Sequence, residues 1–293
     1  MEHSSHALPS VATKVATEGS VDVASKNGDH PLLSLRGISK NFGAVQALYE
    51  VDLDVPAGLV TALIGDNGAG KTTLIKTVAG IWSPGAGQIF WDGEPVNIRT
   101  PREADELGIA TVYQDLALCD NLDIVSNMFL GHESMRHGLL DENTMETAAK
   151  VTLNGLSVTT VKSVRSLVES LSGGQRQSVA VARAVMRDAK LVILDEPTAA
   201  LGVSQTAQVL ALIRRLAERG IAVLVISHNL NDVFSVADRL AIMHLGRLVH
   251  SGPISQYTPQ SAVEIITTGK FVGANSNPSR DQSGNAQETY SAK

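Results

Sequence analysis

Short apolar runs punctuate the chain, and their lengths and borders predict its elements. Leu32-Leu33-Ser34-Leu35 and Val51-Asp52-Leu53-Asp54-Val55 alternate apolar with polar positions, the period of antiparallel strands with one buried face. Leu59-Val60-Thr61-Ala62-Leu63-Ile64 is instead nearly continuous and ends at Gly65, as expected of a strand buried on both faces. Ile109 to Tyr113, Leu191 to Leu194 and Ile221 to Ile226 have the same character and predict further buried parallel strands. Lys71 to Ala79 reads as a helix, and so does Val203 to Arg219, where Val209, Leu210, Leu212, Ile213 and Leu216 form an apolar stripe that stops at Gly220. Between the second and third apolar strands, about Leu116 to Val168 reads as mostly helical. Leu240 to Gly252, with Leu245-Gly246 at its middle, predicts a closing hairpin. The strand–helix alternation predicts an α/β core.

Outside this body the patterning fades. Residues 1–30 mix Ser, Ala, Val, Asp and His without period, and residues 274–293 are rich in Ser, Asn, Gly and Gln; both read as mobile tails flanking a body over 31–273. Met1 to His30 lacks a basic start followed by an apolar block and does not read as a secretory signal. No run reaches the roughly 18 apolar residues needed to span a bilayer. Cys119 is the only cysteine, which excludes an intrachain disulfide and suits a reducing compartment. The formal charge of −6 argues against a nucleic-acid scaffold, which carries a basic stripe. Together these predict a soluble, cytoplasmic protein.

Chemistry concentrates in a few motifs. Gly65-Asp66-Asn67-Gly68-Ala69-Gly70-Lys71-Thr72, followed by Thr73, fits the phosphate loop G-x4-G-K-[ST] and lies between a strand and a helix. Its glycines let backbone N–H groups face phosphates, Lys71 supplies a point charge, and the Thr72 hydroxyl can ligate Mg²⁺ at the positive end of the helix. Asp195 ends the strand Leu191 to Leu194, where a carboxylate suits Mg²⁺, and Glu196 follows in position to polarise an attacking water. Upstream of that strand stands Leu171-Ser172-Gly173-Gly174-Gln175, where Ser172 and the two glycines would open a helix to about Arg187 and present free N–H groups to an anion.

Phosphate loop, Leu-Ser-Gly-Gly-Gln and the Asp195-Glu196 strand, in that order, resemble the ATP-binding cassette (ABC) family over nearly the whole body. The resemblance implies a P-loop NTPase core with a mixed sheet, an N-terminal antiparallel β subdomain and an inserted helical subdomain, about 116–187. It implies ATP and Mg²⁺ as cofactors. Phe42 resembles the aromatic that stacks on adenine, Gln114 the glutamine that contacts Mg²⁺ and the water, and His228, after Ser227, the switch histidine at the γ-phosphate. Glu196, His228 and Gln114 are thereby the catalytic candidates, Thr72, Gln114 and Asp195 the metal candidates. Residues Ser172 to Gln175 would meet the γ-phosphate on an opposite subunit, so a chain with one phosphate loop and one signature must pair, with a second copy or a similar cassette. Ala62 to Gly70, Val112 to Leu118 and Ala199-Ala200-Leu201-Gly202 are similar to bacterial importers of the ribose, xylose and fructose type. That likeness implies permease subunits, a solute-binding protein acting through them, and a position on the inner membrane face, with no nucleic-acid partner. Where the family usually has Asp after Leu201, this chain has Gly202. A soluble ABC ATPase of nucleic acid or ribosomes is the rival class; such proteins typically carry a long coiled coil or basic insertions, and Thr73 to Ser172 holds no sustained heptad pattern.

The remaining features are expected to be structural. Cys119 reads as a small packed residue. His3 and His6, and His132 and His137, lack a matching ligand set. Trp82 and Trp91 are expected to pack locally, and Arg214-Arg215 to lie on a solvated helix face.

Overall fold

The computed structural model describes residues 30–270. The two tails, apart from His30, and the pair His3 and His6 lie outside those residues. In chain order the strands and helices are β1 (Leu33–Phe42), β2 (Val45–Val55), β3 (Val60–Gly65), α1 (Lys71–Val78), β4 (Ala86–Trp91), β5 (Glu94–Val96), α2 (Pro101–Leu107), β6 (Ile109–Val112), α3 (Ile124–Phe129), β7 (Met135–Arg136), β8 (Leu139–Leu140), α4 (Glu142–Gly155), α5 (Gly173–Val185), β9 (Leu191–Asp195), α6 (Val203–Glu218), β10 (Ala222–Ile226), α7 (Leu230–Val236), β11 (Arg239–His244), β12 (Arg247–Pro253) and α8 (Pro259–Thr268).

A mixed sheet, β12-β11-β3-β10-β9-β6, forms the centre, with every pair parallel except β11 with β12. β3 and β10 are buried along their whole length, which is why they read as unbroken apolar runs. Their alternating side chains serve two cores. Val60, Ala62, Ile64, Val223 and Val225 belong to the core on the α6 side of the sheet, while Leu63 and Leu224 face α1 and a second, antiparallel sheet of order β2-β1-β4-β5. Emptying such a position, as in Leu224→Ala, costs about 2–5 kcal/mol.

β4 and β5 have no counterpart in the apolar pattern: β4, though paired on both sides, is half exposed along its length, and β5 is a three-residue edge strand. Trp91 is buried within β4, and Trp82 stacks edge-on against Phe42, with ring centroids 4.7 Å apart. The block 116–168 is less helical than its sequence suggests: His137 and Gly138 both adopt positive φ and fold β7 onto β8 as a tight hairpin. The solvated face expected for Arg214-Arg215 is also corrected. Both are half-buried, and Arg214 donates to Asp238 at 2.9 Å and to the Val236 carbonyl at 3.0 Å, tying α6 to the end of α7. The apolar stripe of α6 is wide, and its neighbours sit close enough to the sheet to enclose those stems.

Candidate nucleotide site

Parallel strands end level with one another, so loops at their C-terminal ends share one surface. Ile226 pairs with Asp195 and with Leu63, which brings the loops after β9, β10 and β3 together. A cavity of about 650 Å³ opens there, and Lys71, Thr72, Gln114, Asp195, Glu196 and His228 all line it.

The phosphate loop is shaped by close packing. Gly65 has φ 154°, and a side chain there would collide with the Met243 carbonyl. Gly70 has φ 101°, with the Ala47 carbonyl 2.8 Å from where a Cβ would stand. Gly246 donates to the Ala69 carbonyl at 3.0 Å, and Tyr49 donates to Gly246 at 2.8 Å. The turn between β11 and β12 is therefore wedged between the loop and β2. At its end, α1 starts from Gly70 with no side-chain cap, leaving its first N–H groups for a ligand.

Lys71 Nζ donates to the carbonyls of Gly65 at 2.7 Å and Asp66 at 3.0 Å. Burial holds its pKa below the ordinary lysine value, against the opposing pull of Glu196, Asp66 and Asp195. Burial pushes the Asp195 carboxyl up, Glu196 adds to the rise, and Lys71 acts against it. Glu196 takes φ 51°, an uncommon backbone conformation for a side chain of its type, and its N–H donates to Ile226 at 2.9 Å. That turn aims Oε2 at His228 Nδ1, 2.8 Å away. Thr198 Oγ1 ties the loop after β9 to the first turn of α7, donating to Asp232 at 2.7 Å.

Asp66, Asn67, Gly68, Ala69 and Thr73 line the cavity as the motif predicts. Phe42 does not. It is 40% exposed at the end of β1 and rests against Trp82, while Val45, Gln46 and Ala47 line the cavity on that side. Those three carry no chemical signature in the sequence and reach the site only through the packing of β2 on the phosphate loop.

Ser172 to Gln175 lie away from this cavity, at the N-terminus of α5. Ser172 and Gln175 form a reciprocal cap: Ser172 N–H donates to Gln175 Oε1 at 2.9 Å, and Gln175 N–H donates to Ser172 Oγ at 3.4 Å. The Gln175 amide also donates to the Thr160 carbonyl at 2.6 Å. Ser172 and Gly173 face solvent, whereas Gly174 is buried against Gln205 of α6, so close that a Cβ would stand 3.0 Å from the Gln205 Cβ.

Three residues that carry hard oxygen donors line the cavity: Thr72 with its hydroxyl, Asp195 with its carboxylate and Gln114 with its amide oxygen. This set suits Mg²⁺, which keeps waters and phosphate oxygens in its remaining positions, and a cation would offset the burial cost at Asp195.

A parallel-stranded P-loop core with an inserted helical arm, and a phosphate loop facing two strand-end carboxyl groups, defines a nucleoside triphosphatase domain. The chain belongs to the ABC transporter family, whose match spans residues 48–199. It is 45% identical to the fructose import ATP-binding protein of Rhizobium meliloti, over 82% of this chain and 95% of that one. It is 41% identical to the xylose/arabinose import ATP-binding protein of Sulfolobus acidocaldarius, over 81% and 94% respectively. A ribose import ATP-binding protein of Rubrobacter xylanophilus is 42% identical, but the match spans only 44% of its length. Among solved structures, a nucleotide-free ATP-binding cassette from an ABC transporter superposes with TM-score 0.69 at 26% identity, covering 82% of this chain and 99% of that one.

Proposed function

We propose that the chain is the ATP-hydrolysing subunit of an importer and that the solute carried is a sugar. The observation that carries the proposal is the convergence of Lys71, Gln114, Asp195, Glu196 and His228 from separate segments onto one cavity, with Ser172 outside its lining. The fructose and xylose/arabinose import proteins, which this chain matches over most of their length, support a sugar as cargo.

In this reading the N–H groups from Gly68 to Thr72 and the Lys71 ammonium hold the β- and γ-phosphates of ATP. Mg²⁺, held by Thr72, Asp195 and Gln114, would offset charge on the phosphate oxygens. Glu196 orients the attacking water and takes up its proton, and His228, oriented by Glu196, faces the γ-phosphate. Ser172 and the N-terminus of α5 complete the cavity of a second copy or a similar cassette, because they cannot reach their own.

No helix among the described residues is long and apolar enough to cross a membrane. In this reading membrane subunits supply the solute path, with the chain docked on their inner face through the arm of 116–187, where Leu130, Met135, Leu139 and Leu140 are exposed. The described part of the body 31–273 acts as one ATPase domain, and a solute-binding protein would engage the permease from the other side.

Phosphate release by the purified chain and sugar uptake by cells expressing it with its permease test the reading. The parental chain is expected to support both and Glu196→Gln neither. Uptake unaffected by Glu196→Gln would overturn it.

A further inference from the structure

α5 presents Ser172 and Gly173 to solvent at its N-terminus and, further along, turns Arg183 into the protein. Arg183 Nη1 donates to the Ala117 carbonyl at 2.9 Å, and Nη2 donates to the Leu116 carbonyl at 3.0 Å. Burial pulls its pKa down from the ordinary arginine value. Both carbonyls belong to the loop that begins at Gln114. Ala117 has φ 48°, a left-handed conformation that a residue with a Cβ keeps only when its surroundings impose it. The far end of the loop is held separately: Cys119 N–H donates to Asn127 Oδ1 at 2.7 Å, and the Asn127 amide returns a bond to the Cys119 carbonyl at 2.9 Å. Asn127 is fully buried in α3. Arg183 itself is absent from the nucleotide cavity and stands in a separate groove beside β6 with Met128 and Leu130.

We infer that Arg183 is a positioning residue for Gln114, fastening the Gln114 loop to α5 so that the glutamine follows the helix whose other end carries Ser172. A planar guanidinium suits this task, because its two donors hold two successive carbonyls at once and fix the turn at Ala117. A lysine ammonium is a single point of charge and lacks the planar fork that fixes the relative placement of the two carbonyls. The inference rests on the ATPase reading above and adds a link between the signature end of α5 and the nucleotide cavity.

The purified chain with MgATP tests it. Arg183→Met keeps the length and apolar stem of the side chain and removes the fork. It should lower kcat by about 10- to 100-fold, the loss typical of a catalytic group displaced by about 1 Å, while the KM for ATP stays within about twofold. Arg183→Lys should fall between the two. Cys119, the only cysteine in the chain, reports on the loop: its modification by a thiol reagent should be faster in Arg183→Met at an unchanged melting temperature. The deciding comparison is the double mutant. If Arg183 acts through Gln114, Arg183→Met adds nothing to the loss caused by Gln114→Ala. Additive losses would overturn the inference, as would parental kcat in a variant whose Cys119 has become reactive. Should Arg183→Met not fold, Arg183→Lys carries the same double-mutant comparison. A parental chain with no ATP turnover sinks the reading of the site and this inference with it. Turnover that responds to Gln114→Ala but not to Arg183→Met sinks this inference alone.

Discussion

His228 Nδ1 lies 2.8 Å from Glu196 Oε2, joining the loop after β10 to the loop after β9. The contact is possible because Ile226 and Asp195 are register partners in parallel strands, so the next residues emerge side by side. Glu196 keeps only 17% of its side chain exposed and His228 keeps 73%. The carboxylate is thus held in the protein, and the imidazole is the part free to turn toward a ligand.

This arrangement makes Glu196 the group that handles the water. Glu196→Gln preserves its shape and can still bond His228, but it cannot take up a proton. Turnover should drop about 10²–10⁴-fold with nucleotide affinity retained. Paired measurements of ATP binding and phosphate release decide it; turnover at the parental rate would remove Glu196 from the role.

Lys71 is held at the carbonyls of Gly65 and Asp66, where its charge points into the phosphate loop. Lys71→Ala should weaken ATP binding, with each charge-assisted contact worth about 1.5–3 kcal/mol, and should abolish turnover. Nucleotide titration checks the first effect and phosphate release the second.

The raised pKa of Asp195 has a stability consequence with a definite sign. Its contribution to folding is full below the ordinary value of 3.8 and is lost as pH rises through the higher folded value. At neutral pH the charged carboxylate therefore destabilises the nucleotide-free chain. Asp195→Asn should raise its melting temperature there, by roughly 2–4 °C for each kcal/mol relieved, and the gain should shrink as pH falls toward 3.8. The same variant should lose MgATP turnover. A melting temperature lowered at neutral pH would contradict the burial argument.

Gly202 is the N-cap of α6 and offers no side chain to its first turn, and a Cβ there would meet nothing within 4 Å. Its φ of −73° is ordinary for any residue. Gly202→Asp should cap the helix and interact with its dipole, stabilising the chain by about 0.3–1 kcal/mol. Thermal melts of the two proteins are the check, and no gain would show that the capping geometry is not reached.

A shared site predicts complementation. Lys71→Ala and Ser172→Arg should each fail to trap ATP alone. In a mixed dimer both lesions fall in one site and leave the other intact, so mixing should restore trapping at one site per dimer. Mixed dimers that trap nothing would rule out two identical chains sharing their sites.

The chemistry was legible from the sequence because it is carried by contiguous segments. The phosphate loop is a run from Gly65 to Thr72, in which Gly65 and Gly70 are required by close backbone contacts and Gly68 by its positive φ. The buried strands were legible for a related reason: a strand covered on both faces, such as Val60 to Ile64, has few polar positions to confuse its reading. Short or largely exposed strands carry no such signal, and β4, β5 and the hairpin at His137-Gly138 are of this kind.

Proximity across the chain is what only the tertiary structure decided. Nothing local places Arg183 against Leu116 and Ala117, Thr198 against Asp232, or Arg214 against Asp238. The same holds for Val45 to Ala47 along the cavity, and for Phe42 resting on Trp82 beside it. Local pattern specifies which residues can form a strand, a cap or a phosphate loop. Which side chains then meet depends on strand order and on how the helices pack over the sheet, and those are set by burial summed over the whole core.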